Sequence, residues 1–255
     1  MFARFAIVLV LLVGSAVATD VHADTMLMDT YIVTPLPGQR GPLEQAIHDH
    51  LNFRLSKGDS RTWLLYTPTL GRGIGRLMLF HCCASWEELE RYQSWETEAE
   101  TTPHWMNFVE PFVDSVDHFI SEVDLNSSNW EGVEKPSPYL NVNELHIRAG
   151  HSDQARIDVL AISNYAKAMD WLPRWMWSWQ LGGDPVLNLV IPQDRLSDMS
   201  FQTNGFEKAL GDHMGDKVKA RELIQSWNGH FEYNSFQLFK LLRVAEPGQK
   251  PDEDR

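Results

Sequence analysis

The sequence predicts an α+β protein made of two units with the same element order, strand-helix-strand-strand-helix-strand. Three observations carry this. Apolar patterns of strand and helix period alternate in that order twice along the chain. The second set aligns on the first without a gap at an offset of 112 residues, placing Gly38 on Gly150, Trp63 on Trp175, Leu77 on Leu189, Ser85 on Ser197 and His118-Phe119 on His230-Phe231. Between them, residues 126–138 are rich in Ser, Asn, Gly and Pro, the composition of a linker.

The first unit spans residues 26–125. Asp29 to Pro35 is a strand, broken by Pro37-Gly38. Leu43, Ile47, Leu51 and Leu55 recur every fourth residue, so 41–57 is a helix with one apolar face. Thr62 to Thr67 is a strand, Gly71, Gly73 and Gly75 make a turn, and Arg76 to Cys82 is a further strand. Ser85 followed by Glu88 is a capping box that starts a helix running through Trp95. A second helical stretch covers 103–113, and Val116 to Val123 closes the unit as a strand.

The second unit spans residues 139–244 and repeats the order. Val142 to Ile147 is a strand ended by Gly150, and 153–168 is a helix. Strands at 175–181 and 186–192 flank the turn Gly182-Gly183-Asp184-Pro185. Helical stretches occupy 204–214 and 217–227, and His230 to Leu241 is the last strand. Residues 245–255 are charged and carry two prolines, as a disordered tail does.

Each unit is a split β-α-β, or ferredoxin-like, arrangement: an antiparallel sheet with helices on one face. The other face stays bare unless something covers it. Two such units in one chain can cover each other's bare faces by closing into an intramolecular barrel.

Residues 1–23 read as a secretory signal peptide, with Arg4 before a short apolar run, Phe5 to Val13, and small residues at Ala16-Val17-Ala18 and Val21-His22-Ala23. The mature protein is expected in the periplasm or secreted, with no membrane association once the peptide is removed. The net charge of −13, with no basic cluster, disfavours nucleic acid as a partner. Cys82 and Cys83 are adjacent. Neighbouring residues rarely form a disulfide, so the expected state is a pair of free thiols at a strand end, with soft-metal binding or redox chemistry as alternatives.

The strand–Pro37-Gly38–helix opening, its copy ending at Gly150, and the Trp63/Trp175 and His118/His230 strands give the chain a resemblance to the dimeric α+β barrel superfamily. That group includes antibiotic-biosynthesis-monooxygenase-like, stress-responsive A/B-barrel and NIPSNAP-like proteins. The resemblance covers nearly all of the mature chain at the level of pattern. It implies a small ligand inside the barrel or under its helices, and cofactor-independent oxygenase or isomerase chemistry among the activities. No catalytic residue of the family maps onto this sequence.

Alternation along the strands selects candidate site residues. Glu144 and His146 share one face of their strand, opposite the apolar Leu145 and Ile147, and two ionisable groups two residues apart can form a proton-transfer pair. His230 and Glu232 share a face of the last strand, which neighbours the first in this topology. The four would then cluster as a structural polar patch, an acid–base site or, with two imidazoles and a carboxylate, a metal site. As catalytic groups, His146 or His230 would be the base and Glu144 or Glu232 its orienting partner. Trp175, Trp177 and Trp179 share a strand face as an indole ladder, with Trp63 equivalent to the first. They are core packing or an aromatic wall for a flat ligand. No dinucleotide, P-loop, zinc or haem-attachment motif is present, so no cofactor is expected.

These readings converge on an exported protein that binds or transforms a small, largely apolar or aromatic molecule in a barrel cavity. A non-catalytic interaction module with a filled barrel and a metal- or haem-binding protein are the alternatives.

Overall fold

The computed structural model describes residues 25–130, 135–172, 174–201 and 205–249. The expected signal peptide lies outside them, as does the end of the expected tail from residue 250 onward.

In the first unit the strand Leu27–Pro35 (β1) leads to the helix Arg40–Ser56 (α1), then to the strands Trp63–Leu70 (β2) and Leu77–Ala84 (β3). The helices Trp86–Glu98 (α2) and Thr101–Phe108 (α3) follow, and the strand Val113–Asn129 (β4) ends the unit. In the second, Tyr139–Ile147 (β5), Ser152–Ala168 (α4), Trp175–Gln180 (β6) and Val186–Gln193 (β7) repeat the order. The helices Phe206–Met214 (α5) and Lys217–Gly229 (α6) come before the last strand, Phe231–Ala245 (β8).

The eight strands close into one barrel in the order β1-β3-β2-β8-β5-β7-β6-β4, every pair antiparallel. Each unit contributes four neighbouring strands, and the β2–β8 and β4–β6 ladders join the units. Two ferredoxin-like sheets thus become one sheet without edges, which satisfies the backbone groups that an open sheet leaves unpaired. No helix among the described residues is long and apolar enough to cross a membrane.

The 112-residue offset holds for the starts of β1 and β5, α1 and α4, and β2 and β6. Gly38 and Gly150 both take a positive φ, 77° and 80°, in the turn from strand to helix, where a side chain would be strained. Beyond β6 the offset fails. Leu36 N–H donates to the Phe112 carbonyl at 3.0 Å, and Arg148 N–H to the His230 carbonyl at 2.8 Å, so the counterpart of His230 is Phe112. The His118/His230 match is one of letters and not of place: His118 lies inside β4, and His230 lies between α6 and β8.

The expected linker is partly sheet. β4 continues to Asn129, with a break in its ladder after Asp124. There the Asp124 carboxylate accepts from Ser127 N–H at 3.0 Å, and the Ser128 hydroxyl donates to the Asp124 carbonyl at 2.6 Å.

Strand alternation divides the apolar residues into three clusters. Leu43, Ile47 and Leu51 of α1 are essentially fully buried against the outward faces of Val33, Trp63, Leu65, Leu77 and Leu79. Each such side chain contributes about 1.5–3 kcal/mol on burial. Ala155, Val159 and Ala166 of α4 pack likewise on Leu145, Ile147, Leu187 and the tryptophans of β6. Tyr66, Met78, Phe80, Val123, Leu140, Val142, Met176, Val190 and Phe239 form the third cluster, on the inward faces. The Ser85–Glu88 capping box starts α2 as the spacing predicts, with Ser85 N–H donating to the Glu88 carboxylate at 2.7 Å and Glu88 N–H to the Ser85 hydroxyl at 3.2 Å.

Candidate functional site

The inward faces do not meet. Among the described residues they enclose a cavity of about 910 Å³ running along the barrel, as the leading reading of the sequence expects and the alternative of a barrel filled by its own side chains does not. Eight strands make an interior just wide enough to be filled or to hold one small molecule. Here the inward positions of the middle strands carry Ile32, Leu64, Val142 and Val190 beside the longer Met78, Phe80 and Phe239, and the smaller side chains leave the bore open.

The two ends of the bore differ. The register pairs Met28 with Cys82 and Leu140 with Phe239, so the N-terminal ends of β1 and β5 lie at one mouth with Cys82, Cys83, Thr62 and Trp130. Ile32 pairs with Asp117, and His146 with Val186, so the other mouth carries Glu144, His146, Asp117, Gln180 and Asp184. Cys82 and Cys83 are joined to each other as a disulfide, against the expectation of free thiols.

Glu144 and His146 face the bore, as alternation predicts. The Glu144 carboxylate accepts from Gln237 Nε2 at 2.8 Å and from the Ser235 hydroxyl at 3.1 Å, and the His146 ring stacks on Tyr233 with centroids 4.0 Å apart. Two cavity-side hydroxyls, those of Thr30 and of the fully buried Ser178, have no hydrogen-bond partner within the protein. Thr30 lines the bore, and Ser178 lies between the bore residues Met176 and Gln180 on the same strand face.

The other two polar candidates do not join this pair. α6 extends to Gly229, so His230 caps a helix instead of opening a strand. It is buried on the helix side of the sheet, where its Nε2 meets Asp158 of α4 at 3.0 Å and its Nδ1 meets His151 Nδ1 at 3.1 Å. The β5–β8 register shifts between His146–Tyr233 and Ile147–Phe231, leaving Glu232 as the extra, exposed residue of a bulge. The neighbours of Glu144 are therefore Ser235 and Gln237. Among the described residues no three His, Cys, Asp or Glu side chains are grouped as a metal site, and the sheet wall separates the two imidazoles proposed for one.

Asp158 is held below the ordinary carboxylate range. Burial alone would raise it, but hydrogen bonds from Ser226, His230 and Gln154 outweigh that effect. The His230–Asp158 contact ties the C-terminal end of α6 to α4.

The tryptophans also lie outside the bore. Trp175, Trp177 and Trp179 point outward under the helices and are about 95% buried. Each indole N–H has a protein acceptor: the Ser127 carbonyl at 2.9 Å, the Ser163 hydroxyl at 3.0 Å and the Asp124 carboxylate at 3.3 Å. Trp63 donates to Asp59 at 3.2 Å within a buried network in which Arg54 meets Asp59, Tyr92 and Glu96. The ladder is core because Met176 and Ser178, the residues between its rungs, take the inward positions. Period-two alternation fixes that the two sets part, and only the three-dimensional closure fixes which set turns inward.

No protein-family model matches this chain, and no curated protein is a significant match. Solved structures resemble it over nearly their whole length. An anthrone oxidase-like protein superposes with a TM-score of 0.58 at 14% identity, covering 91% of this chain and 98% of its own. A candidate monooxygenase of Fusobacterium nucleatum gives 0.58 at 7% identity, covering 89% and 96%, and one of Lactobacillus acidophilus gives 0.51 at 7%, covering 88% and 97%. At these identities the likeness establishes the fold: the chain is an α+β barrel built of two ferredoxin-like units and closed within one polypeptide.

Proposed function

We propose that this protein takes up one small, largely apolar molecule in the barrel bore and transforms it by proton transfer, as a cofactor-independent oxygenase or isomerase does. The observation that carries the proposal is the cavity of about 910 Å³, walled by Met, Phe, Val, Leu and Ile side chains and polar chiefly toward its ends. Ligand sites have this character: an apolar wall for affinity and a few placed polar groups for orientation. The solved structures described as anthrone oxidase-like and candidate monooxygenases suggest the oxygenase branch of the proposal.

In this proposal His146 is the base. It removes a proton from a carbon activated by the substrate's own carbonyl or aromatic system. In the isomerase branch the proton returns at another carbon. In the oxygenase branch dioxygen, the co-substrate, adds to the carbanion and is split so that one oxygen stays as a carbonyl and the other leaves as water. Glu144, held by Gln237 and Ser235, supplies a fixed negative field for the imidazolium that forms. Thr30, which lines the bore, offers its unpaired hydroxyl to a polar atom of the bound molecule.

The uncharged dye Nile red tests the cavity. It should bind one per chain with a blue-shifted emission, and Val190→Trp, which puts an indole into the bore, should abolish this while the protein stays folded. Equal binding by both proteins would sink the proposal.

A further inference from the structure

Four sulfur-bearing side chains, Met26, Met28, Cys82 and Cys83, line the mouth of the bore at the N-terminal ends of β1 and β5. Strand alternation alone would not gather them. Neighbouring residues of a strand point to opposite faces, so one of the two cysteines should turn outward to the helices. The β1–β3 register prevents this. Met28 pairs with Cys82 and Leu27 with Ala84, which leaves Cys83 as the extra residue of a bulge, and both cysteines line the bore.

Met28 faces the same space from β1. Residues directly opposed in an antiparallel pair have Cβ atoms about 4.5–5.5 Å apart, so the Met28 thioether and the Cys82 sulfur can share one ion between them. Met28 and Cys83 are half-buried against the inward cluster, and Met26 and Cys82 are exposed at the rim. The nearby imidazole does not join them. His81 lies on the outer face of β3 beside Trp63, and its Nδ1 meets the Thr62 carbonyl at 3.0 Å. Of the charged residues lining the bore, Lys135 and Glu246 lie at this end, one of each sign. The donor set is therefore sulfur: two thiols and a thioether, soft ligands that select Cu(I) over harder divalent ions. Zinc sites instead take thiolate, imidazole and carboxylate donors.

We infer that the reduced Cys82–Cys83 pair and Met28 form a Cu(I) site at this mouth. In the disulfide form the two cysteine sulfurs are bonded to each other and offer the ion no thiolate. A dithiol reductant opens that bond. Its own two thiols become a disulfide, and the two electrons and two protons they release leave Cys82 and Cys83 as thiols. Cu(I) then displaces both thiol protons to solvent and takes two thiolates and the Met28 thioether, so the occupied site carries one negative charge. The site does not rest on the function proposed for the bore, whose base, His146, lies at the other mouth.

The test is anaerobic titration of the full chain, reduced with dithiothreitol and then freed of it, against Cu(I) held as its coloured bicinchoninate complex. Each reduced chain should take one Cu(I), with three sulfur neighbours by X-ray absorption, and the disulfide form should take none. Met28→Leu conserves volume, so the fold survives it. Met26→Leu in the same chain keeps the rim thioether from standing in. This double variant should bind Cu(I) at least about tenfold more weakly, an effect that even outer-shell partners of a metal reach, and should show two sulfur neighbours. Cys82→Ser, at an exposed position, should abolish the one-per-chain uptake. Val190→Trp, deep in the bore, should leave it unchanged. No uptake by the reduced chain, equal uptake by the disulfide form, equal affinity in the double methionine variant, or loss of uptake in Val190→Trp would each overturn the inference.

Discussion

Gln237 on β8 and Glu144 on β5 meet inside the barrel, with Nε2 of the amide donating to Oε1 of the carboxylate at 2.8 Å. They are not directly opposed in the ladder, because Glu144 pairs with Ser235 and Val142 with Gln237. The contact is therefore a diagonal one, and with Ser235 it occupies both carboxylate oxygens from one side. A double-mutant cycle on Gln237→Leu and Glu144→Leu should give a coupling energy of about 1–2 kcal/mol from denaturant midpoints. A coupling near zero would mean that the pair is not formed in solution.

Trp177 is a structural residue. Its ring packs edge-on against Trp227 with centroids 5.6 Å apart, and its N–H is held by Ser163. Trp177→Ala should cost about 3–5 kcal/mol in unfolding free energy, the range for deleting a buried large aromatic. The folded fraction should still bind Nile red with wild-type stoichiometry, because the ring lies beyond the sheet from the bore.

Tyr92 ties the buried network of the first unit together. Its hydroxyl lies 2.7 Å from Asp59 Oδ2 and accepts from Arg54 Nη2 at 2.6 Å and from Trp63 Nε1 at 3.1 Å. Tyr92→Phe should destabilise by about 1–3 kcal/mol because it leaves buried polar partners short of a bond. Thermal melts of the two proteins check this.

Acid should weaken the fold through histidines kept neutral. Burial, and after it the charges of Arg54 and His104, lower His50 from 6.5 to about 3. His81 and His104 are also lowered, mainly by burial. The unfolded chain takes up these protons near pH 6.5 and the folded chain does not, so the stability is present above that pH and is lost as pH falls toward 3. For His50 this is a slope of about 1.4 kcal/mol per pH unit between those pH values. Urea midpoints should fall between pH 7 and pH 4, and His50→Gln should make that fall shallower.

Gly71 marks a close approach at the turn after β2. Its φ is +97°, and a Cβ there would lie 2.3 Å from the Phe236 carbonyl oxygen of β8. Gly71→Ala should therefore lower the melting temperature through both backbone strain and a clash across the β2–β8 seam. A melt unchanged from wild type would show that this seam is looser in solution.

The two-unit architecture was legible because its signals are local. The fourfold spacing of Leu43, Ile47 and Leu51, the Ser85 capping box and the turn glycines all act within a few residues. The inward direction of Glu144 and His146 was legible too, since Leu145 and Ile147 needed the helices. What failed depended on events that alternation does not encode. The bulge at Glu232 broke the register of β8, and the two further residues of α6 took His230 out of the strand. The indole ladder faced outward because the small Ser178 and the adaptable Met176 suited the bore. Ser235 and Gln237 could have been found in the sequence, since they alternate with Phe236 and Leu238 ahead of the inward Phe239.

Native mass spectrometry of the protein, purified gently from its own host, shows directly whether the bore holds a molecule. A fraction of wild-type chains should carry one small, apolar molecule, absent from the folded Val190→Trp variant and retained in Trp177→Phe. Chains free of any adduct that also exclude Nile red, or an adduct that survives Val190→Trp, would contradict the proposed binding in the bore.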